Sequence, residues 1–267
     1  EIEVGDWSSD VCSSDLLPSD MNGHGTACAV MINRLAPKAK IVPISVLDAN
    51  GRCSPKQLVA ALNLVSELEV SIVNMSVSSN DFTIIHDLKM IIKELEAQGK
   101  ICIASKSNDR RISYPASIKN VIGVEGSFAI FNNGYMYKKN KEIQVMASGA
   151  AELLQCRFKQ HKFFRGNSKA TAIVSGIVAN SMEKKDGCIG EYLSKNTWSN
   201  HNLYQRIQLK CHNREIVNLV NQSIKKLIDN RLIQTKLTVN GELLYHNSPI
   251  DDCYTIVYTL EKIFGCK

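Results

Sequence analysis

The sequence predicts an α/β fold: a mostly parallel sheet with helices on both faces, followed by a small α+β segment at the C-terminus. The first observation is that short apolar, β-branched runs alternate with longer stretches of helical period from His24 onward. Because neighbouring parallel strands are joined by crossovers, this alternation favours a parallel sheet covered on both faces. The second is size: 267 residues, 44% of them hydrophobic, suffice for one substantial core and a small extra domain.

The predicted elements follow in a regular order. The helices are expected at residues 24–35, 55–68, 81–98, 168–181 and 216–228, and the strands at residues 40–47, 71–77, 100–105, 120–126 and 142–147. Ser54 is an N-cap residue ahead of Pro55 at the first helical position. The helix over 168–181 is small and apolar nearly all round, which is typical of a helix in the middle of a protein.

Residues 1–16 are expected to be foreign to the fold. They contain a Ser-Ser-Asp sequence that occurs twice, five residues apart, and show no helix or strand periodicity after Val4. The run from Asp6 to Leu16 resembles one reading frame of a sequencing-adapter oligonucleotide. The alternative is a serine-rich tail. On the first interpretation the natural sequence begins near Leu17, in the middle of a domain predicted to occupy 17–190.

The character of the sequence changes after Lys184, where a polar stretch extends to about Arg214, and a small accessory domain is predicted at 205–267. It would contain the amphipathic helix over 216–228, a hairpin at Asn240-Gly241 and a terminal helix over 256–264. The terminal helix faintly resembles the central helix of acyl or peptidyl carrier proteins. That resemblance suggests a precursor peptide or a carrier-type partner, whereas an accessory domain that packs on the protein or on a partner is the alternative.

Composition argues against several classes of partner. The net charge of +6 is spread out, and its densest cluster (Lys138, Lys139, Lys141) has no interleaved aromatic residues, so no nucleic-acid partner is expected. The sequence contains no run of about eighteen apolar residues, so no membrane span is expected. The nine cysteines are scattered without the pairing that a zinc site needs, so we expect no metal, no cofactor and a reducing, cytoplasmic location.

Three polar residues stand where acyl-transfer chemistry would need them. His24 lies between two glycines at the start of an apolar helix, Ser168 lies at the mouth of the buried helix, and Asn108 follows a buried strand. Acyl transfer needs a base, a hydroxyl nucleophile and an oxyanion donor of these types. Taken singly, each residue has an ordinary alternative: a loop or cap histidine, an N-cap serine and a turn asparagine.

Six segments, in this order, resemble the subtilase family of serine peptidases. They are GHGTACA, APKAKIVPISVLDANG, SIVNMSVSS, ASKSND, YPASIKNVIGV and GNSKATAIVSG. The resemblance implies the subtilisin-like three-layer fold with a seven-stranded parallel sheet, and a serine endopeptidase acting through an acyl-enzyme. It implies that His24 is the general base, Ser168 the nucleophile and Asn108 the oxyanion donor.

The resemblance also assigns the substrate-binding residues. The backbone of Ser76, Val77 and Ser78 would pair with an extended peptide or protein substrate as an added strand. Cys28 would be a buried packing residue beneath the catalytic histidine.

Several residues depart from the family pattern. Asn167 replaces a threonine, Lys169 a methionine, Ser107 a glycine and Val30 a small residue. Lys106 carries a charge close to the specificity pocket, where it either selects acidic side chains or faces solvent.

The larger departure is the triad aspartate, which in the family lies well upstream of the histidine. Only 23 residues precede His24, and Asp20 matches a loop acid before the histidine block instead. The chain is therefore expected to be a fragment without the triad aspartate and a poor enzyme, although its intact parent could be active. The alternatives are a degenerate subtilase fold that binds peptides without cleaving them, and a non-protease α/β protein with coincidental motifs.

Overall fold

A computed structural model of the chain describes residues 20, 23–48, 50–79, 81–107, 113–128, 130, 133–155, 161–185, 187–198, 214–233, 255–256, 258–260 and 262–263. The chain divides into two compact units, Glu1–Leu203 and Tyr204–Lys267. The predicted oxyanion donor Asn108, the hairpin at Asn240-Gly241 and residues 1–16 lie outside the described residues.

The first unit alternates helices and strands. Its helices are α1 (His24–Leu35), α2 (Pro55–Glu67), α3 (Ile85–Ala97), α4 (Gly166–Glu183) and α5 (Ile189–Lys195), with a 3-10 turn at Phe82–Ile84. Its strands are β1 (Ile72–Met75), β2 (Ile101–Ser105), β3 (Val121–Ser127), β4 (Tyr135–Tyr137), β5 (Val145–Ser148), β6 (Glu152–Gln155) and β7 (His161–Phe164). The predicted N-cap of α2 is confirmed, since Ser54 and Gln57 form a reciprocal capping box.

A mostly parallel sheet is confirmed. Its order is β1-β2-β3-β5-β4, in which only the β4–β5 pair is antiparallel, and β6 and β7 form a separate antiparallel hairpin. The described main sheet therefore has five strands instead of the seven that the family resemblance implied. The parallel strands share a carboxyl edge, which is where sites form in α/β folds.

Helices cover both faces of the sheet, as the sequence predicted. On β2, Cys102 packs with Leu62 of α2 and Leu88 of α3, whereas the next residue, Ile103, packs with Val174 of α4 on the other face. Consecutive residues of a strand point to opposite faces, so these contacts define three layers.

Two strand predictions need correction. Residues 40–47 are not a strand: only Ile44 takes part in a β-bridge, and no strand of the described sheet pairs along this segment. Pro43 adds to this because it has no N–H to donate to a ladder. The strand predicted at 142–147 begins later, at Val145. The sequence analysis missed β4, β6, β7 and α5, all of which are short.

The second unit is described mainly by α6 (Arg214–Asp229), which confirms the predicted amphipathic helix. Ile224 and Leu227 of this helix are buried in a cluster with Ile233 and Ile256. None of the helices among the described residues is long and apolar enough to cross a membrane.

Helices α1 and α4 approach closely at Gly176. A Cβ atom at this position would lie 2.7 Å from Leu35 Cβ and 3.2 Å from the Ile32 carbonyl oxygen. The contact needs glycine because real Cβ atoms do not approach other atoms so closely. This packing fixes the two helices that begin with the predicted histidine and serine segments.

We predict that Gly176→Ala destabilises the chain by about 1–3 kcal/mol, because the added methyl group must push α1 away from α4. Urea unfolding measures the change. Gly190→Ala is the matched control, since a Cβ there meets only the Tyr137 hydroxyl at 3.7 Å and alanine favours the helix. Equal stability changes in the two variants would contradict the close helix contact.

Candidate active site

Ser168 lies in the first turn of α4. The helix begins at Gly166, whose φ of 73° is a left-handed conformation that glycine adopts readily. The N-cap residue is Arg165, not Ser168, so the N-cap alternative for the serine is wrong. The Ser168 hydroxyl donates to the Ser76 carbonyl oxygen at 3.4 Å, and the Ser76 hydroxyl donates to the Ser168 carbonyl oxygen at 3.4 Å. The first turn of a helix favours a developing negative charge at this position.

The predicted substrate-binding segment follows β1 directly and meets Ser168. Ser76 and Val77 are half-buried, and Ser78 is exposed. A polar chain supports Ser76: Asn74 Nδ2 donates to the Ser76 hydroxyl at 3.2 Å, and the Ser175 hydroxyl of α4 donates to Asn74 Oδ1 at 2.9 Å. The segment is thus attached to the same helix that carries Ser168.

His24 is the first residue of α1. Both carboxylate oxygens of Asp20 accept backbone N–H groups, from Gly23 at 2.8 Å and from Thr26 at 2.7 Å. Asp20 therefore caps the helix, in agreement with its match to a loop acid before the histidine. The cap fixes the backbone from which the imidazole projects.

Among the described residues, Cys28 and Phe164 lie against the imidazole. His24 Nδ1 lies 3.9 Å from the Cys28 sulfur, and the ring stands edge-to-face on Phe164 with centroids 6.0 Å apart. Cys28 is 6% exposed, which confirms it as a buried packing residue. Phe164 is the last residue of β7 and lies two residues before α4 begins. This contact therefore brings His24 near the N-terminus of α4, the helix that carries Ser168.

A cavity of about 640 Å³ connects the imidazole with the substrate-binding segment. His24 and Cys28 line it from α1, and Asn74 of β1 and Ser76, the residue after β1, also line it. Ser76 therefore lines the same cavity as His24 and also contacts Ser168, at the carboxyl edge of the sheet. Asn108 lies outside the described residues.

The side chain of Asn167, which the sequence analysis treated only as a departure, forms hydrogen bonds with three described residues beside Ser168. The backbone N–H of Gly126 donates to its Oδ1 at 2.7 Å, and its Nδ2 donates to the carbonyl oxygens of Lys106 at 2.8 Å and Ser107 at 3.3 Å. No local sequence signal predicts these bonds, because all three partners are distant along the chain.

Lys169, the second departure, is almost completely buried next to Ser168. Its ammonium donates to the Ala150 carbonyl oxygen at 2.8 Å and lies 3.0 Å from the Glu152 carboxylate. Glu152 also accepts from Arg34 of α1. Partial burial alone would raise the pKa of Glu152, but the hydrogen bonds and positive charges of Lys169 and Arg34 hold that pKa below its usual value. Glu152 thus links the helices that carry Ser168 and His24.

Lys106 neither faces solvent nor stands unpaired. Its ammonium lies 2.8 Å from the Glu125 carboxylate of β3, and its side chain is only 20% exposed. Because the nearby carboxylate compensates the charge, Lys106 would attract an acidic substrate side chain less strongly than an isolated lysine would.

The described cysteines Cys28, Cys53, Cys102 and Cys188 are free thiols. Burial raises the pKa of Cys102 to about 11, so this thiol is unreactive at neutral pH. Within the described ranges, no group of three His, Cys, Asp or Glu side chains is placed to hold a metal ion.

The profile of the subtilase family matches residues 6–230 of the chain. The chain belongs to the subtilase family. The matched range passes both ends of the predicted 17–190 domain, so that division stays a prediction.

Curated relatives agree with this assignment. The major intracellular serine protease of Bacillus subtilis is 28% identical over 179 residues, which are 60% of this chain and 55% of the relative. Subtilisin DY of Bacillus licheniformis is 24% identical over 64% of this chain and 68% of its own length. A cuticle-degrading serine protease of Orbilia oligospora is 27% identical over 75% of this chain and 53% of its own length. The chain thus spans little more than half of two of these three relatives.

A solved structure supports the fold. The crystal structure of a lanthipeptide protease superposes with a TM-score of 0.53 at 19% identity, covering 67% of this chain and 68% of the other. The subtilisin-like three-layer α/β architecture is therefore confirmed.

We predict that Glu152→Gln destabilises the subtilase chain at pH 7 by about 1–2 kcal/mol, because it removes the counter-charge of buried Lys169. The loss should be smaller than for a fully buried pair, since Glu152 is more than a third exposed. The folded-state pKa of Glu152 is lowered, so its contribution is full above the ordinary value near 4.5 and is lost as the pH falls through the folded-state pKa. The variant and the parent sequence should therefore converge in acid.

Urea unfolding between pH 7 and pH 3 measures this difference. Glu183→Gln is the control, because its partner Lys38 is 80% exposed and the pair should contribute nothing measurable. A stability difference for Glu152→Gln that stays constant with pH would refute the buried ion pair.

Proposed function

We propose that this chain is the peptidase part of a serine-type endopeptidase, in which His24 is the general base, Ser168 the nucleophile and Asn108 the oxyanion donor. The observation that carries the proposal is the meeting of Ser168 with Ser76 at the carboxyl edge of the sheet, on a cavity that His24 also lines. Nucleophile, base and a strand-like binding segment are the parts that peptide hydrolysis needs.

The proposed reaction follows from this geometry. Ser168 Oγ attacks the peptide carbonyl carbon while His24 accepts the hydroxyl proton, and the first turn of α4 with the Asn108 amide stabilises the oxyanion. The tetrahedral intermediate expels the amine, which takes the proton from the imidazole. Water then attacks the acyl-enzyme, with His24 again as the base, and releases the acid and Ser168.

The substrate is proposed to be a peptide or protein bound in extended form. Ser76, Val77 and Ser78 continue directly from parallel strand β1, so their backbone is suited to pair with an added strand. Processing of a precursor peptide, and a carrier-type partner for residues 205–267, remain proposals from the faint carrier resemblance of the C-terminal helix. Cytoplasmic action is proposed from the free thiols and from the similarity to a major intracellular protease.

We further propose that none of the 267 residues of this chain is the triad aspartate. Both oxygens of Asp20, the described acid nearest His24 in sequence, are engaged by backbone N–H groups that cap α1. The cavity beside His24 lies between residues 39–47 and β1, and its walls are mainly apolar. A further strand bearing the aspartate would fit there, since apolar walls suit a buried parallel strand.

The alternative is a degenerate subtilase fold that binds peptides without cleaving them. It is favoured by the replacement of a family glycine by Ser107, just before the proposed oxyanion donor. Against it, the departures Asn167 and Lys169 both have polar partners among the described residues. The two functions use the same binding segment and differ in whether Ser168 is activated.

We predict that a fluorophosphonate probe labels the 267-residue chain slowly and at Ser168 only. Loss of the triad aspartate alone lowers kcat by roughly 3 × 10⁴-fold in subtilisin, so a comparable deficit is expected here. Mass spectrometry locates the adduct. Ser168→Ala should abolish labelling, and Ser181→Ala, at the other end of α4, should leave it unchanged. An absence of Ser168 labelling, even after an aspartate-bearing upstream strand is restored, would favour the non-cleaving alternative.

We also predict that peptide affinity depends on alternate backbone amides. With Ser168→Ala to prevent turnover, N-methylation of an amide that faces Ser76–Ser78 should weaken binding about tenfold, the effect of one lost hydrogen bond. Methylation of the neighbouring amide should matter little, because successive amides of a strand point in opposite directions. Calorimetric titration of the peptide series measures this. An even loss at every position would exclude strand pairing.

A further inference from the structure

Asn167 connects the first turn of α4 with the ends of two neighbouring strands. Its Oδ1 accepts from Gly126 near the end of β3, and its Nδ2 donates to the carbonyl oxygens of Lys106 and Ser107, the two residues after β2. One side chain therefore uses both the oxygen and the nitrogen of its amide, and its partners come from the ends of two different strands.

The contacts around Asn167 leave little freedom in its backbone. A Cβ atom at Gly126 would lie 2.8 Å from the carbonyl carbon of Gly166 and 3.2 Å from the backbone nitrogen of Asn167, so the strand and the helix start touch through backbone atoms. One turn further on, the buried Thr171 hydroxyl donates to the Asn167 carbonyl oxygen at 2.7 Å. Asn167 is thus held on both its main chain and its side chain.

We propose that Asn167 is a positioning residue that clamps the Ser168 backbone to the ends of β2 and β3. Ser168 is the next residue, and its hydroxyl reaches the Ser76 carbonyl oxygen at 3.4 Å. Loss of the clamp would let the first turn of α4 move relative to β1 and the loop after β2. A misplacement of about 1 Å at a reacting group costs about 100-fold in rate, so this residue controls turnover without touching substrate.

The inference also explains why an asparagine can stand here. The family threonine offers one hydroxyl, whereas the carboxamide accepts one bond and donates two. An aspartate of the same shape could still accept from Gly126 but would set a carboxylate oxygen against the carbonyl oxygens of Lys106 and Ser107. The clamp therefore requires the amide N–H groups in particular.

The test compares Asn167→Asp, Asn167→Ala and Asn167→Thr in the 267-residue chain. Amide hydrogen exchange, followed by mass spectrometry, is read on peptides covering 101–107 and 121–127, with α3 as the internal reference. In the alanine variant, amide exchange should be about tenfold faster in both clamped segments and unchanged in α3. The factor follows because losing one hydrogen bond raises the opening equilibrium about tenfold. The aspartate variant should be at least as fast at 101–107, where its carboxylate faces two carbonyl oxygens, and the threonine variant should be intermediate.

Kinetics supply the second readout, which rests on the proposed peptidase function. Asn167→Ala should lower kcat by 10- to 100-fold with KM within about threefold, and Asn167→Thr should recover part of that loss. A merely structural role would instead accelerate exchange in α3 as much as in the clamped segments and would give no recovery by threonine.

The two failures are distinguishable. Unchanged exchange at 101–107 and 121–127 in the alanine and aspartate variants would overturn the clamp, whatever the activity. A chain that neither labels nor cleaves even after an aspartate-bearing upstream strand is restored would overturn the proposed function, while the exchange data still decide the clamp. If Asn167→Ala does not fold, the comparison of Asn167→Thr with Asn167→Asp carries the same decision.

Discussion

The close approach of α4 to the carboxyl edge of the sheet is the constraint on which the site depends. Backbone meets backbone at Gly126 and Gly166, and the Gly166 N–H donates to the Gly149 carbonyl oxygen at 2.9 Å. A side chain at Gly126 would push the helix start away, and Ser168 with it. The position of the serine is therefore set by the main chain, and the surrounding side chains have only to keep it there.

This constraint explains why the polar departures beside Ser168 are tolerated. A helix start pressed onto a sheet edge leaves Asn167 half-buried and Lys169 buried, so both side chains are stabilised by polar partners inside the protein. Asn167 finds backbone groups of two strand ends, and Lys169 finds Ala150 and Glu152. Glu152 also pairs with Arg34, so the polar network extends from Lys169 to α1, the helix that begins with His24.

Local sequence patterns predicted those helices and strands whose formation depends mainly on residues close together in the chain. The apolar period and the cap of α2, the buried strands β1 to β3 and the all-round apolar α4 follow from neighbouring residues alone. The segment at 40–47 was predicted wrongly because a strand needs a partner, and apolar alternation does not reveal whether one is present. The clamp of Asn167 and the burial of Lys169 could not be predicted, since their partners lie between 17 and 61 residues away along the chain.

The proposed peptide binding and the proposed peptide cleavage rest on different contacts in this fold. The binding segment Ser76–Ser78 is an extension of β1, supported by Asn74 and Ser175 from the sheet and α4. The proposed base depends on α1, its Asp20 cap and the Phe164 contact, and the cap bonds and the ring contact do not involve Asn74 or Ser175. Changes that weaken the placement of His24 would therefore leave the binding segment in position. The same scaffold can lose catalysis while it keeps a surface for extended peptides, so a fluorophosphonate and a peptide titration report on separate properties of one site.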